Sequence, residues 1–150
     1  MINLDTLQAD AITGDLRTNK NTLSFWAVND IDELKKAVVA LSFMPVSTDL
    51  EKIDVIWIDD KDLTQQGLVI EPTKGKTAAI RHIDIHRDVC NLTYSSLGIV
   101  ASAVMNAIHS GCYKRIGATM VKDYAKEALI NGEIDTNLCD PKLKVKLSKL

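Results

Sequence analysis

The chain has 150 residues, 20 acidic and 18 basic side chains, a formal charge of −2 and 46% hydrophobic residues, which fits one globular domain over 1–150 rather than two. A domain of this length buries about 68–70% of the surface its unfolded chain exposes, so neither a disulfide framework nor a structural metal is needed for stability. A mean hydropathy of +0.00 argues equally against a disordered acidic tail and against a membrane protein.

Taken in chain order, the first half carries the strand signals. Residues 11–17 read as a weak strand, and Thr18-Asn19-Lys20-Asn21 has the composition of a hairpin turn. Alternation over 22–28 predicts a second strand, with Leu23, Phe25 and Ala27 on one face and Trp26 on the other. Asp30 then offers a helix cap, and Glu33, three residues on, completes a capping box. Ile31, Leu34, Val38 and Leu41 would form the apolar face of that helix, and Pro45 limits its length. The near-continuous run Asp54-Val55-Ile56-Trp57-Ile58-Asp59 predicts an interior strand covered on both faces. Residues 67–71 and 77–80 flank Pro72-Thr73-Lys74-Gly75-Lys76 and read as a hairpin, which the segment through Val89 either extends as strand or follows as helix.

The second half turns helical. Thr93 caps a predicted helix over 94–110 with an apolar stripe at Leu97, Val100 or Ala101, Val104 and Ile108, closed by Gly111. Thr119 caps a second through Asn131, ended by Gly132, and Asp140-Pro141 opens a short terminal helix with Leu143, Leu147 and Leu150 on one side and lysines around it. Strands first and helices last define an α+β domain: a mostly antiparallel sheet of about four to five strands in the first half, helices packed on it, and a helical C-terminal segment.

The densest group of reactive side chains is His82-Ile83-Asp84-Ile85-His86-Arg87-Asp88-Val89-Cys90. As a strand it puts His82, Asp84, His86, Asp88 and Cys90 on one face. Imidazoles and carboxylates suit zinc or manganese, so a metal-dependent hydrolase using His82, Asp84, His86 and Asp59 is one expectation, with the ion lowering the pKa of a bound water. Four residues of strand span about 13 Å, however, so His82 and His86 cannot easily share an ion. H-x-D-x-H also differs from the H-E-x-x-H motif, and a solvated edge strand accounts for the same pattern. Gly75-Lys76-Thr77 lacks the upstream glycine of a phosphate-binding loop, since position 70 is Ile, and Ser95 and Ser96 lack the G-x-S-x-G elbow. Cys90 and His86 meet only if their segment is helical; otherwise Cys90, Cys112 and Cys139 read as inert thiols.

Three widely spaced cysteines without a C-x-x-C pair, an opening Met1–Asp5 without a basic region and apolar stretch, and the lack of an 18-residue apolar run predict a cytoplasmic protein with no membrane partner. A pI near 5.9 and 5% aromatic residues argue against nucleic acid as a partner. Residues 1–75 hold 13 acidic and 7 basic side chains, residues 76–150 hold 7 and 11, an asymmetry that can steer an oppositely charged partner. With no catalytic signature, the expectation is a protein-binding protein without a cofactor, an immunity or antitoxin-type inhibitor of a basic partner. Trp57, Asp59, Asp60 and Asp62 form its contact, an aromatic anchor among carboxylates. The third expectation is a homo-oligomer docking through the lysine-bearing terminal helix.

Overall fold

Residues 16–150 are described in the computed structural model. Among them the elements run β1 (Leu23–Trp26), α1 (Leu34–Ser42), β2 (Ile53–Ile56), α2 (Asp60–Thr64), β3 (Val69–Pro72), a 3-10 helix (Ile80–Ile85), β4 (His86–Cys90), α3 (Tyr94–His109), β5 (Tyr113–Ile116), α4 (Ala118–Ile130), a 3-10 turn (Thr136–Leu138) and α5 (Pro141–Leu147). The class is α+β, as the composition and patterning predict. The strands, however, form two small antiparallel sheets rather than one, in the orders β1-β4-β3 and β2-β5. The strand expected over 11–17 lies mostly outside the described residues; Leu16 and Arg17 are not in a strand. Among the described residues no helix is long and apolar enough to cross a membrane.

The chain divides into two compact units. One comprises the stretch ending at Phe25 with Ile56–Glu71 and Asp88–Lys114; the other comprises Trp26–Val55, Pro72–Arg87 and Arg115–Leu150. In the first, Leu23, Leu63, Leu68, Val89 and Val100 form the core. The turn before β1 is a tight hairpin: Asn19 and Thr22 exchange backbone bonds of 3.1 and 3.0 Å, with Lys20 and Asn21 at φ of 52° and 60°, the geometry whose twist matches that of strands. The helix α3 starts at the expected cap, where Thr93 and Ser96 satisfy each other's amides. Its buried face is Val100, Ala103, Ala107 and Ile108. The two glycines expected to close helices, Gly111 and Gly132, take φ of 75° and 65°, a region costly for residues with a Cβ.

In the second unit, α1 packs against α4 and against the 3-10 helix, around Val38, Val39, Phe43, Val121 and Leu143. Phe43 and Leu143 have no exposed surface, and burying each contributes about 2–3 kcal/mol. The helix α5 follows its sequence signals: Asp140 Oδ1 accepts from the Lys142 amide at 2.8 Å, Pro141 takes the first turn, and Leu143 and Leu147 face inward while Leu150 does not.

Several local expectations are corrected. The helix α1 begins at Leu34, not just after Asp30. Asp30 does accept from the Glu33 amide at 2.9 Å, but the Glu33 carboxylate reaches back to Asn29, one residue beyond the expected cap. The box therefore precedes the helix, and Ile31 is left half exposed. The run 54–59 is not an interior strand. β2 ends at Ile56, pairs among the described residues with β5 alone, and alternates: Asp54 and Ile56 exposed, Val55 buried. Residues 67–71 do not pair with 77–80. Ala78 instead donates to the Phe43 carbonyl at 2.9 Å and the Thr77 hydroxyl to the Ala40 carbonyl at 2.7 Å. The end of α1 thus takes the Ala78 amide that a hairpin would have used, and β3 pairs with β4. The cap of α4 is Gly117 rather than Thr119. β5 was not legible, because Lys114 and Arg115 interrupt its apolar ends; Arg115 instead forks onto Asp54 at 2.7 and 2.8 Å, which sets the register with β2.

Candidate functional site

The first unit holds a groove of about 430 Å³ built by two helices and the chain leaving β2. Asp59 starts α2: its Oδ1 accepts from the Lys61 amide at 3.0 Å, the reason an aspartate stands where an apolar run ends. Leu63, buried on the inner side of α2, seats it in the core, so Asp62 is left facing outward and lines the groove. Trp57 lies just past β2, held by its amide donating to the Cys112 carbonyl at 3.1 Å. From α3 come Ser102, Asn106 and Ser110, a polar stripe at four-residue spacing beside Ala103 and Ala107, whose small side chains let α2 come close.

The groove is acidic. Among the described residues, Asp59 and Asp62 are its charged lining groups, and no lysine or arginine lines it. The Lys61 backbone amide bonded to Asp59 holds its carboxyl below the usual aspartate range, because a hydrogen bond to the charged form favours ionisation. Of the four residues expected to make a partner contact, Trp57, Asp59 and Asp62 therefore meet in one place. Asp60 is exposed and does not line it. Ser102, Asn106 and Gln65 were not singled out as site residues, although the interruption of an apolar helix by Ser102 and Asn106 is the signal that marks that flank.

The residues expected as metal ligands are not brought together. The period of two that would align them runs only over β4, since 80–85 is 3-10 helix with three residues per turn. His82 is buried, with Nε2 3.1 Å from Glu133 Oε2. Asp84 is exposed, and its backbone carbonyl accepts from Arg87. His86 sits 2.7 Å from the Thr73 hydroxyl through Nδ1 and meets the Trp26 ring edge-on at 4.9 Å between centroids. Asp59 belongs to the other unit, as the cap of α2. Among the described residues, no group of three or more His, Cys, Asp or Glu is arranged to hold an ion. Glu133 escaped sequence reasoning because it meets His82 across 51 residues with no spacing rule to link them.

On β4, His86, Asp88 and Cys90 do share a face, opposite the buried Val89. Asp88 accepts from the Ser24 hydroxyl at 2.8 Å, and the Cys90 thiol points at Glu71, 3.6 Å away. Burial, reinforced by the Glu71 carboxylate, pushes the Cys90 thiol up, away from the reactive thiolate. His109 closes α3 with Nδ1 3.0 Å from the Met105 carbonyl, and all three cysteines are free. Compared with models of protein families, with curated proteins and with solved structures, the chain matches none.

Proposed function

We propose that the chain is a protein-binding module whose groove takes a lysine or arginine side chain of a basic partner. The observation that carries this is the meeting of Trp57 with Asp59 and Asp62 in one groove whose lining, among the described residues, has no positive charge. An ammonium or guanidinium group gains about 0.5–2 kcal/mol over an aromatic face, and ionised carboxylates add charge-assisted hydrogen bonds. The amides of Gln65 and Asn106 and the hydroxyls of Ser102 and Ser110 accept the donors that an arginine fork leaves over. The finer form of this reading is an inhibitor of the immunity or antitoxin type, which neutralises a basic, nucleic-acid-acting enzyme by covering its positive surface.

The test is an NMR titration of the whole chain with a lysine- and arginine-rich peptide and, separately, with a glutamate-rich one. The basic peptide is expected to shift the Trp57 indole and the Gln65 and Asn106 side-chain amides, with Asp62→Asn weakening it about tenfold, or about 1.4 kcal/mol. The acidic peptide should leave them in place. No shift at about millimolar basic peptide, the weakest affinity of interest, or shifts confined to other residues, would refute the proposal.

A further inference from the structure

The terminal helix carries the complement of the groove. Helical spacing puts Lys142, Val145 and Lys146 on one face of α5, and the turn after Leu147 brings Lys149 onto it, with its amide bonded to the Lys146 carbonyl at 3.1 Å. Leu143 and Leu147 are turned inward on the other side. Val145 is 58% exposed, an apolar group set among ammonium groups. Lys146 is paired with Asp49 within the chain, which leaves Lys142 and Lys149 as the outward charges of this face; both are exposed. The groove has the reverse arrangement, an aromatic ring beside two carboxylates.

We infer that a second copy of this chain is a partner of the groove, docking the Lys142–Val145–Lys149 face of its α5 so that Val145 meets Trp57 and the two lysines meet Asp59 and Asp62. This rests on the groove accepting basic side chains, as proposed above. Donor helix and acceptor groove are different surfaces, so the contact is head-to-tail. A pair joined by one such contact keeps one unused surface of each kind, so further copies can add until the surfaces close on one another. A stable interface buries upward of about 1,000 Å², more than a seven-residue helix against one groove can bury, so the association is weak, with a Kd of about 10–100 µM. It is also salt-sensitive, since its charges lie near solvent.

Sedimentation velocity of the full chain over a concentration series, at about 0.05 M and about 0.5 M salt, reads this directly. The expected result is a mean mass that rises with concentration at low salt and falls back at high salt. Lys142→Glu with Lys149→Glu should give monomers, as should Asp62→Lys. Mixing these two chains should restore association, because the unaltered helix of the Asp62→Lys chain then meets the unaltered groove of the other. A wild-type monomer at every concentration, or association that both variants leave unchanged, overturns the inference. If the chain is monomeric and the basic peptide still shifts Trp57, the groove reading stands and the second copy alone is wrong. If neither is seen, both fail.

Discussion

The two tryptophans stand in similar sequence settings, each inside an apolar stretch with strand character, and both are half-buried, but their surroundings differ. Trp26 is fitted tightly: its ring meets His86 edge-on, and a Cβ placed on Gly75 would come within 2.4 and 2.8 Å of it. Trp57 lies beyond the end of β2, with its amide held by Cys112 and its side chain lining an open acidic groove. Hydrophobic patterning reports that a residue is embedded in apolar sequence. Whether its ring then finds a wall or an opening depends on which segments pack beside it.

The largest expected effect separates the two rings by stability. Trp26→Ala should cost about 3 kcal/mol and Trp57→Ala about 1 kcal/mol in urea unfolding, while only the second abolishes the response to basic peptide. Equal losses would erase the distinction. Next comes Gly75→Ala, whose added methyl has no room beside Trp26 and should cost about 1–3 kcal/mol. Gly98, inside α3 with nothing within 4 Å of a built Cβ, should respond in the opposite sense: Gly98→Ala stabilises by about 0.5–1 kcal/mol through helix propensity. Denaturation midpoints that fall for Gly75→Ala and rise for Gly98→Ala are the expected outcome, and a Gly75→Ala midpoint equal to or above that of the wild type counts against it.

The smallest effect is the pH response of the groove. The Asp59 carboxyl is held below its ordinary value by the Lys61 amide, so its folded form ionises more readily than its unfolded form. The contribution of this cap is therefore complete above the usual aspartate pKa of about 3.9 and is lost as pH falls through the lower, folded value. Asp54 and Asp49, lowered by Arg115 and Lys146, act in the same sense. Thermal midpoints should be level from about pH 7 to about pH 5 and fall below about pH 4, and peptide binding should follow the protonation of Asp59. A binding loss centred near pH 6 would point to a histidine rather than to these carboxylates.

What could be read in advance was local. The Thr93 box, the Asp140-Pro141 start, the glycine stops and the turn at 18–21 each depend on groups within a few residues of one another, and each stands as expected. The hairpin at 67–80 failed because the Ala78 amide and the Thr77 hydroxyl found partners at the Phe43 and Ala40 carbonyls, at the end of a helix far upstream. The 82–90 cluster failed because a 3-10 helix replaces strand in its first half, which turns His82 toward Glu133 instead of toward His86.

By itself, then, the order of residues determined the α+β class, the Thr93 and Asp140 caps and the glycine stops, because neighbours along the chain decide these through propensity and short hydrogen bonds. Tertiary structure alone decided the pairing of β2 with β5, the burial of His82 against Glu133, and the gathering of Trp57, Asp59 and Asp62 beside α3. Each of these joins groups far apart in sequence, and a long-range contact forms only where packed cores leave the matching surface in reach, a condition no window of neighbouring residues contains.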